Sequence, residues 1–359
     1  MTAGGVTASA SRPVPDLAQE LGTLFGRAAR EADGPIEKTY LIADLGVRIR
    51  YARREMLERI GPALAHLERE EVDHVLLTID AWDSANATAA TPPLPAPDPA
   101  AVPGSKYYFE EGHTRGSYMP ASGALSVLDT EARHGWYWVE DPAEMPDWEA
   151  AASIRLLLHW WLPDHGAIEV HGGAVGTESG GVLVVGRGGS GKSTTCLASV
   201  GHPELRYVSD DYTAIRFQPE PWAYSLYSSG KLEPGHAKRL PHLATAVANE
   251  DRLHLEEKAV FYVNEHFAES IVPGFPLRAV LVPRIVPGRR ETRVVKASPA
   301  AALSALAPST VFQLHPPTPE TFRTMARLLA AVPSFHLELG SDIAAIPQAI
   351  LDLLADLER

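Results

Sequence analysis

The sequence predicts an α/β protein of two domains, a larger C-terminal domain built of strand–loop–helix units and a smaller α+β domain before it. Three observations predict this. From Ala167 onward, short apolar strands alternate with helical segments. A glycine-rich loop joins one such strand to one such helix at residues 186–193. Before about residue 150 the pattern is one of short, aromatic-rich strands with a single helical stripe. At 359 residues, 45% hydrophobic and 21% charged, the chain has the length of about two domains and the composition of a packed globule.

In chain order, residues 1–35 read as an extension, flexible or helical, and residues 36–149 as the smaller domain. Residues 39–51 read as strands punctuated by Gly46, after which Leu57, Ile60, Leu64 and Leu67 recur three or four apart on one helix face. Residues 72–79 (VDHVLLTI) read as a strand. Residues 84–105 are mostly Ala, Thr and Pro, with six prolines from Pro92 to Pro103; they have little to bury and read as a surface loop or linker. Residues 107–139, with Tyr108, Phe109, Trp136, Tyr137 and Trp138, read as short strands and hairpins, and residues 148–162 as an apolar helix ending at Pro163. In the larger domain, residues 150–359, strands are expected at 168–171, 180–185, 206–209 and 277–282. Helices are expected there at 192–200, 300–306, 320–331 and 343–357.

Charge and cysteine usage narrow the function. Forty-five acids against 32 Lys+Arg, a net charge of −13, argue against a nucleic-acid binder that tracks phosphates and against a polybasic membrane binder. The one cysteine, Cys196, cannot form a disulfide within the chain, and there is no cysteine cluster for zinc. It reads as a small buried apolar residue in preference to a reactive thiol. The first ten residues lack an apolar signal core and no apolar run reaches the length of a membrane span, so a cytoplasmic protein is expected, with neither nucleic acid nor membrane as partner.

The sharpest motif is Gly186-Arg187-Gly188-Gly189-Ser190-Gly191-Lys192-Ser193, which fits G-x-x-x-x-G-K-[ST]. At ordinary residue frequencies such a match arises by accident in roughly one chain of this size per hundred. Its setting, directly after the apolar 182–185 run and opening a helix at Lys192, Ser193 and Thr194, makes an accident rarer still. Glycines let successive backbone N–H groups turn inward around a phosphate, and the start of a helix favours an anion. Lys192 would reach the β- and γ-phosphates and the Ser193 hydroxyl would bind Mg²⁺, so the loop residues Gly186, Gly188, Gly189, Ser190, Gly191, Lys192, Ser193 and Thr194 are expected to bind a nucleoside phosphate. The competing reading is a tight glycine turn with an exposed lysine.

Two acids, Asp210 and Asp211, end the 206–209 strand, 18 residues after Lys192. A helix of about ten residues runs roughly 15 Å back along a sheet, and a strand of about five residues returns that distance. The acids therefore arrive near the loop if their strand lies close to the 181–185 strand, where they can hold metal, act as a base or cap a turn. His171-Gly172 ends a short strand 15 residues before Gly186.

His171-Gly172, then the loop, then Asp210-Asp211, in this order and spacing, resemble the catalytic domain of HPr kinase/phosphorylase, whose fold is in turn similar to the nucleotide site of phosphoenolpyruvate carboxykinase. The resemblance covers residues 167–215 and implies a P-loop domain with a mixed sheet. It implies His171 beside Asp210 as base toward an acceptor serine, with Lys192 at the phosphates and Asp211 and Ser193 at the metal. The N-terminal 150 residues do not resemble the corresponding domain of the HPr enzyme, and the family's C-terminal signature for the phosphorylase direction is absent. Residues 306–310 and 333–346 resemble instead the HPr-kinase-like proteins encoded near ribosomal-peptide maturation genes, some of which, in lasso-peptide clusters, phosphorylate a precursor-peptide serine. HPr kinases form hexamers, so a homo-oligomer is implied, although no self-association motif adds to it.

Weaker signals follow. Lys231 and Glu233 align loosely with the family's metal-linked acid, Glu257 and Lys258 precede an apolar strand, and Arg284, Arg289, Arg290 and Arg293 follow the 277–282 strand. Each alone reads as a solvated charge, but at least one cation from 284–293 is expected to reach the phosphates, because a loose phosphoryl-transfer state spreads negative charge. The expected activity is ATP- and Mg²⁺-dependent transfer of the γ-phosphate to a serine hydroxyl of a peptide or small protein. A small-molecule alcohol kinase and a nucleotide-sensing module with little transfer are the alternatives. The Gly-rich loop, H-R-D and D-F-G set of eukaryotic-type protein kinases is absent.

Overall fold

A computed structural model describes residues 14–85, 91–94, 106–255, 258–314, 316 and 319–359. Residues 1–13 of the expected extension, 86–90 and 95–105 of the expected Pro/Ala-rich loop, and Glu257 lie outside the described residues. The chain is a mixed α/β protein whose two large sheets belong to two compact units. One unit comprises Met1–Gly61 with Glu68–Trp161, the other Pro62–Leu67 with Leu162–Arg359. The division falls at Trp161 and Leu162 where residue 150 was expected, because the helix ending at Trp161 packs on a strand of the first unit.

The first unit contains α1 (Val14–Glu31), β1 (Ile36–Ile42), β2 (Leu45–Tyr51), α2 (Arg54–Ile60), β3 (Glu68–Arg69), β4 (Val75–Asp83), β5 (Tyr107–Glu111), β6 (Thr114–Met119), β7 (Ala124–Asp129), β8 (His134–Val139), α3 (Asp147–Ala150) and α4 (Arg155–Trp161). Its sheet runs β3-β1-β2-β4-β8-β7-β6-β5. Parallel pairs flank β4, and an antiparallel meander runs from β8 to β5. The β1–β2 hairpin closes on Ala43 and Asp44, both at positive φ, the two-residue turn whose twist matches that of paired strands. Leu21, Phe25, Ala28 and Ala29 of α1 bury against Trp82, Leu125, Val127, Trp136 and Trp138.

Two expected helices are shorter than their apolar periodicity. The 57–67 stripe stops at Ile60, where Gly61-Pro62 follows and proline has no N–H to continue the ladder. The 148–162 helix is interrupted between Ala150 and Arg155, where Ile154 takes a φ of 55°. Past that break Arg155 turns inward to a buried ion pair with Glu149, 2.8 Å apart and with both side chains no more than 5% exposed, and Glu149 also accepts from the Tyr137 hydroxyl at 2.9 Å. Glu149→Ala leaves the Arg155 guanidinium buried without its carboxylate. The expected cost is about 3–5 kcal/mol, read as a fall in the urea midpoint at unchanged slope.

The second unit contains β9 (Ala167–His171), β10 (Gly173–Thr177), β11 (Gly180–Val184), α5 (Lys192–Ala198), β12 (Arg206–Ser209), β13 (Tyr212–Arg216), β14 (Trp222–Ser225), β15 (Ser229–Leu232), α6 (Pro234–Ala237), β16 (Ala259–Tyr262), α7 (Val263–His266), β17 (Gly274–Ile285), β18 (Arg293–Lys296), α8 (Pro299–Gln313), α9 (Pro319–Ala331), β19 (Ser334–Leu339) and α10 (Ile346–Leu357). The main sheet is mixed, in the order β12-β10-β11-β17-β14-β13-β9, with β19 on β17 and β18 on β19. The long β17 explains the mixture: its first residues pair antiparallel with β14, its later ones parallel with β11 and β19. Alternate β17 residues feed two cores. Ala279 and Leu281 join Leu197, Leu337, Leu339 and Ile350 on the α5/α10 face. Val280 and Val282 join Leu306, Met325 and Leu328 on the α8/α9 face. Among the described residues no helix is long and apolar enough to cross a membrane.

Candidate functional site

The loop at 186–193 sits where open α/β sheets bind ligands, beyond the C-terminal ends of parallel strands. Val185 N–H donates to Leu281 O at 2.9 Å, tying the loop's first turn to β17. Gly191 has a φ of +102°, where a side chain is strained, and a Cβ there would also push aside the tip of Leu339 at the end of β19. Arg187, Gly188 and Gly189 are exposed at the tip, and Gly186 is buried at the base. Ser190 N–H closes the turn on Arg187 O at 3.2 Å. Ser193 and Thr194 occupy the first turn of α5, half-buried, and the Thr195 hydroxyl bonds back to Gly191 O at 2.8 Å.

Lys192 is no exposed turn lysine. It is 7% exposed, and its ammonium arches back over the loop to Gly186 O at 2.8 Å and Arg187 O at 3.3 Å. Burial pulls its pKa below the ordinary lysine value, with Asp211 and then Asp210 pulling the other way. Cys196 is fully buried beneath it, and burial holds its thiol well above the usual range, in keeping with the apolar reading.

The two acids occupy the bend between β12 and β13. β12 does not lie beside β11, since β10 comes between them. Asp210 still reaches the loop helix because Gly173 of β10 has no side chain: a Cβ there would meet Cys196 Sγ at 2.5 Å and Asp210 O at 2.7 Å. Asp210, 1% exposed, accepts the Lys231 N–H through Oδ2 at 2.9 Å and lies near enough to the Ser193 hydroxyl for that group to draw its pKa down. Burial, then the Asp211 charge, raises its pKa to about 7. Asp211 faces elsewhere. Its Oδ2 is 2.6 Å from Lys231 Nζ and its Oδ1 is 3.6 Å from His171 Nε2. Burial alone would raise its pKa, but the Lys231 ammonium and then His171 hold it well below the usual carboxylate range.

The expected place of His171 beside Asp210 is therefore corrected: the histidine faces Asp211 at 3.6 Å, while the Ser193 hydroxyl acts on Asp210. The reason is register. Tyr212 pairs with His171 across the β13–β9 ladder, so the residue just before Tyr212 is delivered to the histidine. Asp210 stays with the end of β12, which β10 holds under α5. His171 is fixed further by its N–H to Thr310 Oγ1 at 3.1 Å and by the Tyr212 ring, 5.4 Å away.

Lys231 belongs to the site, although in sequence it stood out only through a loose alignment. Glu233, aligned with it, does not: its side chain is 67% exposed and faces His236 at 3.8 Å. Of the candidate arginines at 284–293, Arg284, near the end of β17, and Arg289, past it, both bind Glu338, Arg284 at 2.5 Å, next to the Pro283 and Leu339 side chains that line Gly191. Arg290 and Arg293 are exposed.

Among the described residues no group of three or more His, Cys, Asp or Glu could hold a metal by itself. Mg²⁺ needs no such cage, since it keeps its waters and takes one or two protein oxygens beside substrate phosphates. Asp210 and Ser193 fit that requirement: Oδ1 of Asp210 is buried without a hydrogen-bond partner, a hard oxygen beside a hydroxyl at the base of the loop.

No protein-family model and no curated protein matches the chain. Among solved structures, it is similar to one titled as the HPr(Ser) kinase/phosphatase from Coxiella burnetii, with 12% identity and a TM-score of 0.31, over 53% of this chain and 92% of that one. A likeness that slight decides nothing about chemistry, and the functional reading stands on the site residues alone.

Proposed function

We propose that the chain is an ATP- and Mg²⁺-dependent phosphotransferase that moves the γ-phosphate to a serine hydroxyl of a peptide or small protein. The observation that carries this is the unequal placing of two adjacent aspartates against one phosphate loop, Asp210 on Ser193 and Asp211 on His171 and Lys231.

Exposure favours different roles for the two acids. An acceptor hydroxyl must touch its base, and the Asp211 side chain, 18% exposed, is the more open to it, whereas Asp210, 1% exposed, lies deeper at the base of the loop. Asp211 thus receives the acceptor and Asp210 with Ser193 holds the metal, the reverse of the assignment the sequence resemblance implied. Bound there, Mg²⁺ would neutralise charge on the β- and γ-phosphates. Lys192 neutralises more from its place over Gly186, and the loop backbone orients the phosphate chain. As the bond from the serine oxygen to the γ-phosphorus forms and the bond from that phosphorus to the bridging oxygen breaks, Asp211 Oδ1 takes the hydroxyl proton. ADP leaves, and the carboxyl returns its proton to solvent. A carboxylate with a low pKa suffices, because the hydroxyl loses its proton late in a loose transition state.

The test is transfer of label from γ-labelled ATP to serine-containing peptides, set beside a pool of small alcohols. Label on peptide serine supports the proposal. Label on a small alcohol alone points to a metabolite kinase, and tight Mg·ATP binding without transfer to any acceptor points to a sensor. Ser193→Ala is expected to raise the Mg²⁺ concentration for half-maximal turnover about tenfold, about 1.4 kcal/mol for one lost oxygen ligand, measured by Mg²⁺ titration at saturating ATP.

A further inference from the structure

Lys231 touches both aspartates from one position. Its N–H donates to Asp210 Oδ2 at 2.9 Å, and its ammonium lies 2.6 Å from Asp211 Oδ2. The residue is 7% exposed, in the β15–β16 ribbon that packs against α5, and its Nζ is 5.9 Å from the Tyr212 ring centre. Burying an ammonium beside a carboxylate contributes little net stability, since an apolar pair of similar volume does as well or better. Stability therefore does not account for a lysine here, and the geometry supplies another role. With Oδ2 held by Lys231, the Asp211 carboxylate cannot rotate freely, and Oδ1 is left on the His171 side for an incoming hydroxyl.

We propose that Lys231 is a positioning residue for phosphate transfer, its ammonium aiming Asp211 at the acceptor while its N–H holds Asp210 against Ser193. No bond to Lys231 forms or breaks: the serine proton passes to Asp211 Oδ1. This rests on the phosphotransfer reading above. A displacement of about 1 Å in a reacting group costs of order 10²-fold in rate, and that is the loss expected when the clamp is removed.

The experiment compares Lys231→Met, Lys231→Arg, Asp211→Asn and the double variant Lys231→Met/Asp211→Asn in the full chain, with Mg·ATP as the probe and a serine-containing peptide pool as acceptor. Lys231→Met is expected to lose about 10²-fold in kcat while KM for Mg·ATP moves less than about threefold, a loss made only in the transition state. Lys231→Arg, which keeps the cation, is expected to recover most of that loss. The double variant is expected to be no slower than Asp211→Asn, because Lys231 acts through Asp211. It also removes both buried charges, so it remains informative where Lys231→Met alone fails to fold. Wild-type kcat in Lys231→Met, or a double variant slower than Asp211→Asn, overturns the role of Lys231 and leaves the phosphotransfer reading standing. A wild-type chain that binds Mg·ATP but transfers to no acceptor overturns both.

Discussion

Lys192→Ala is expected to reduce phosphate transfer by about 10²–10³-fold, the range for removing one preorganised group that meets charge developing in a transition state. The lysine is held ready for this: it is 7% exposed and already directed across the loop mouth to Gly186 O and Arg187 O. Burial lowers its pKa, with Asp211 and then Asp210 pulling the other way. Mg·ATP affinity is expected to fall as well, because Lys192 meets the phosphates before as well as during transfer. Calorimetric titration with Mg·ATP and single-turnover transfer measure the two effects separately. Unchanged values in both would remove the phosphate-loop assignment.

Asp211→Asn is expected to lower transfer by about 10²–10⁴-fold, the usual contribution of a positioned base, while Mg·ATP still binds. The substitution also removes the carboxylate facing Lys231 Nζ at 2.6 Å and His171 Nε2 at 3.6 Å, so a buried ammonium loses its charge partner. A stability loss of about 3 kcal/mol accompanies it. The rate must therefore be taken per folded, nucleotide-bound molecule, at a temperature well below the variant's unfolding midpoint. A transfer rate near wild type under those conditions would show that the acceptor is not deprotonated by Asp211.

What was readable in the sequence was local chemistry. The loop at 186–193 declared itself because its glycines, Lys192 and Ser193 are consecutive, and the apolar strand and helix on either side belong to the same short stretch. His171, Asp210 and Asp211 were identifiable as companions of that loop, and they do converge on its neighbourhood. Their pairing was not readable. It depends on Tyr212 standing opposite His171 and on β12 joining β10 and not β11, and both are contacts between segments far apart in the chain. Lys231 was obscure for the same reason: it follows Asp211 by 20 residues, on a two-stranded ribbon that only tertiary packing lays against α5. Apolar periodicity also overran the helices at residues 57–67 and 148–162, where Gly61-Pro62 and the left-handed Ile154 interrupt stretches whose side chains are otherwise well suited to a helix.

The division of labour between the aspartates is tested most directly by the Mg²⁺ dependence of ATP affinity in Asp210→Asn and Asp211→Asn. Calorimetric ATP titrations at several fixed Mg²⁺ concentrations are expected to show that Asp210→Asn loses most of the metal-dependent gain in affinity, because Asp210 offers an unpartnered buried oxygen and feels the Ser193 hydroxyl. Asp211→Asn is expected to keep that gain. A metal defect confined to Asp211→Asn, or one equal in both variants, would contradict the assignment of Asp210 to the metal and Asp211 to the acceptor.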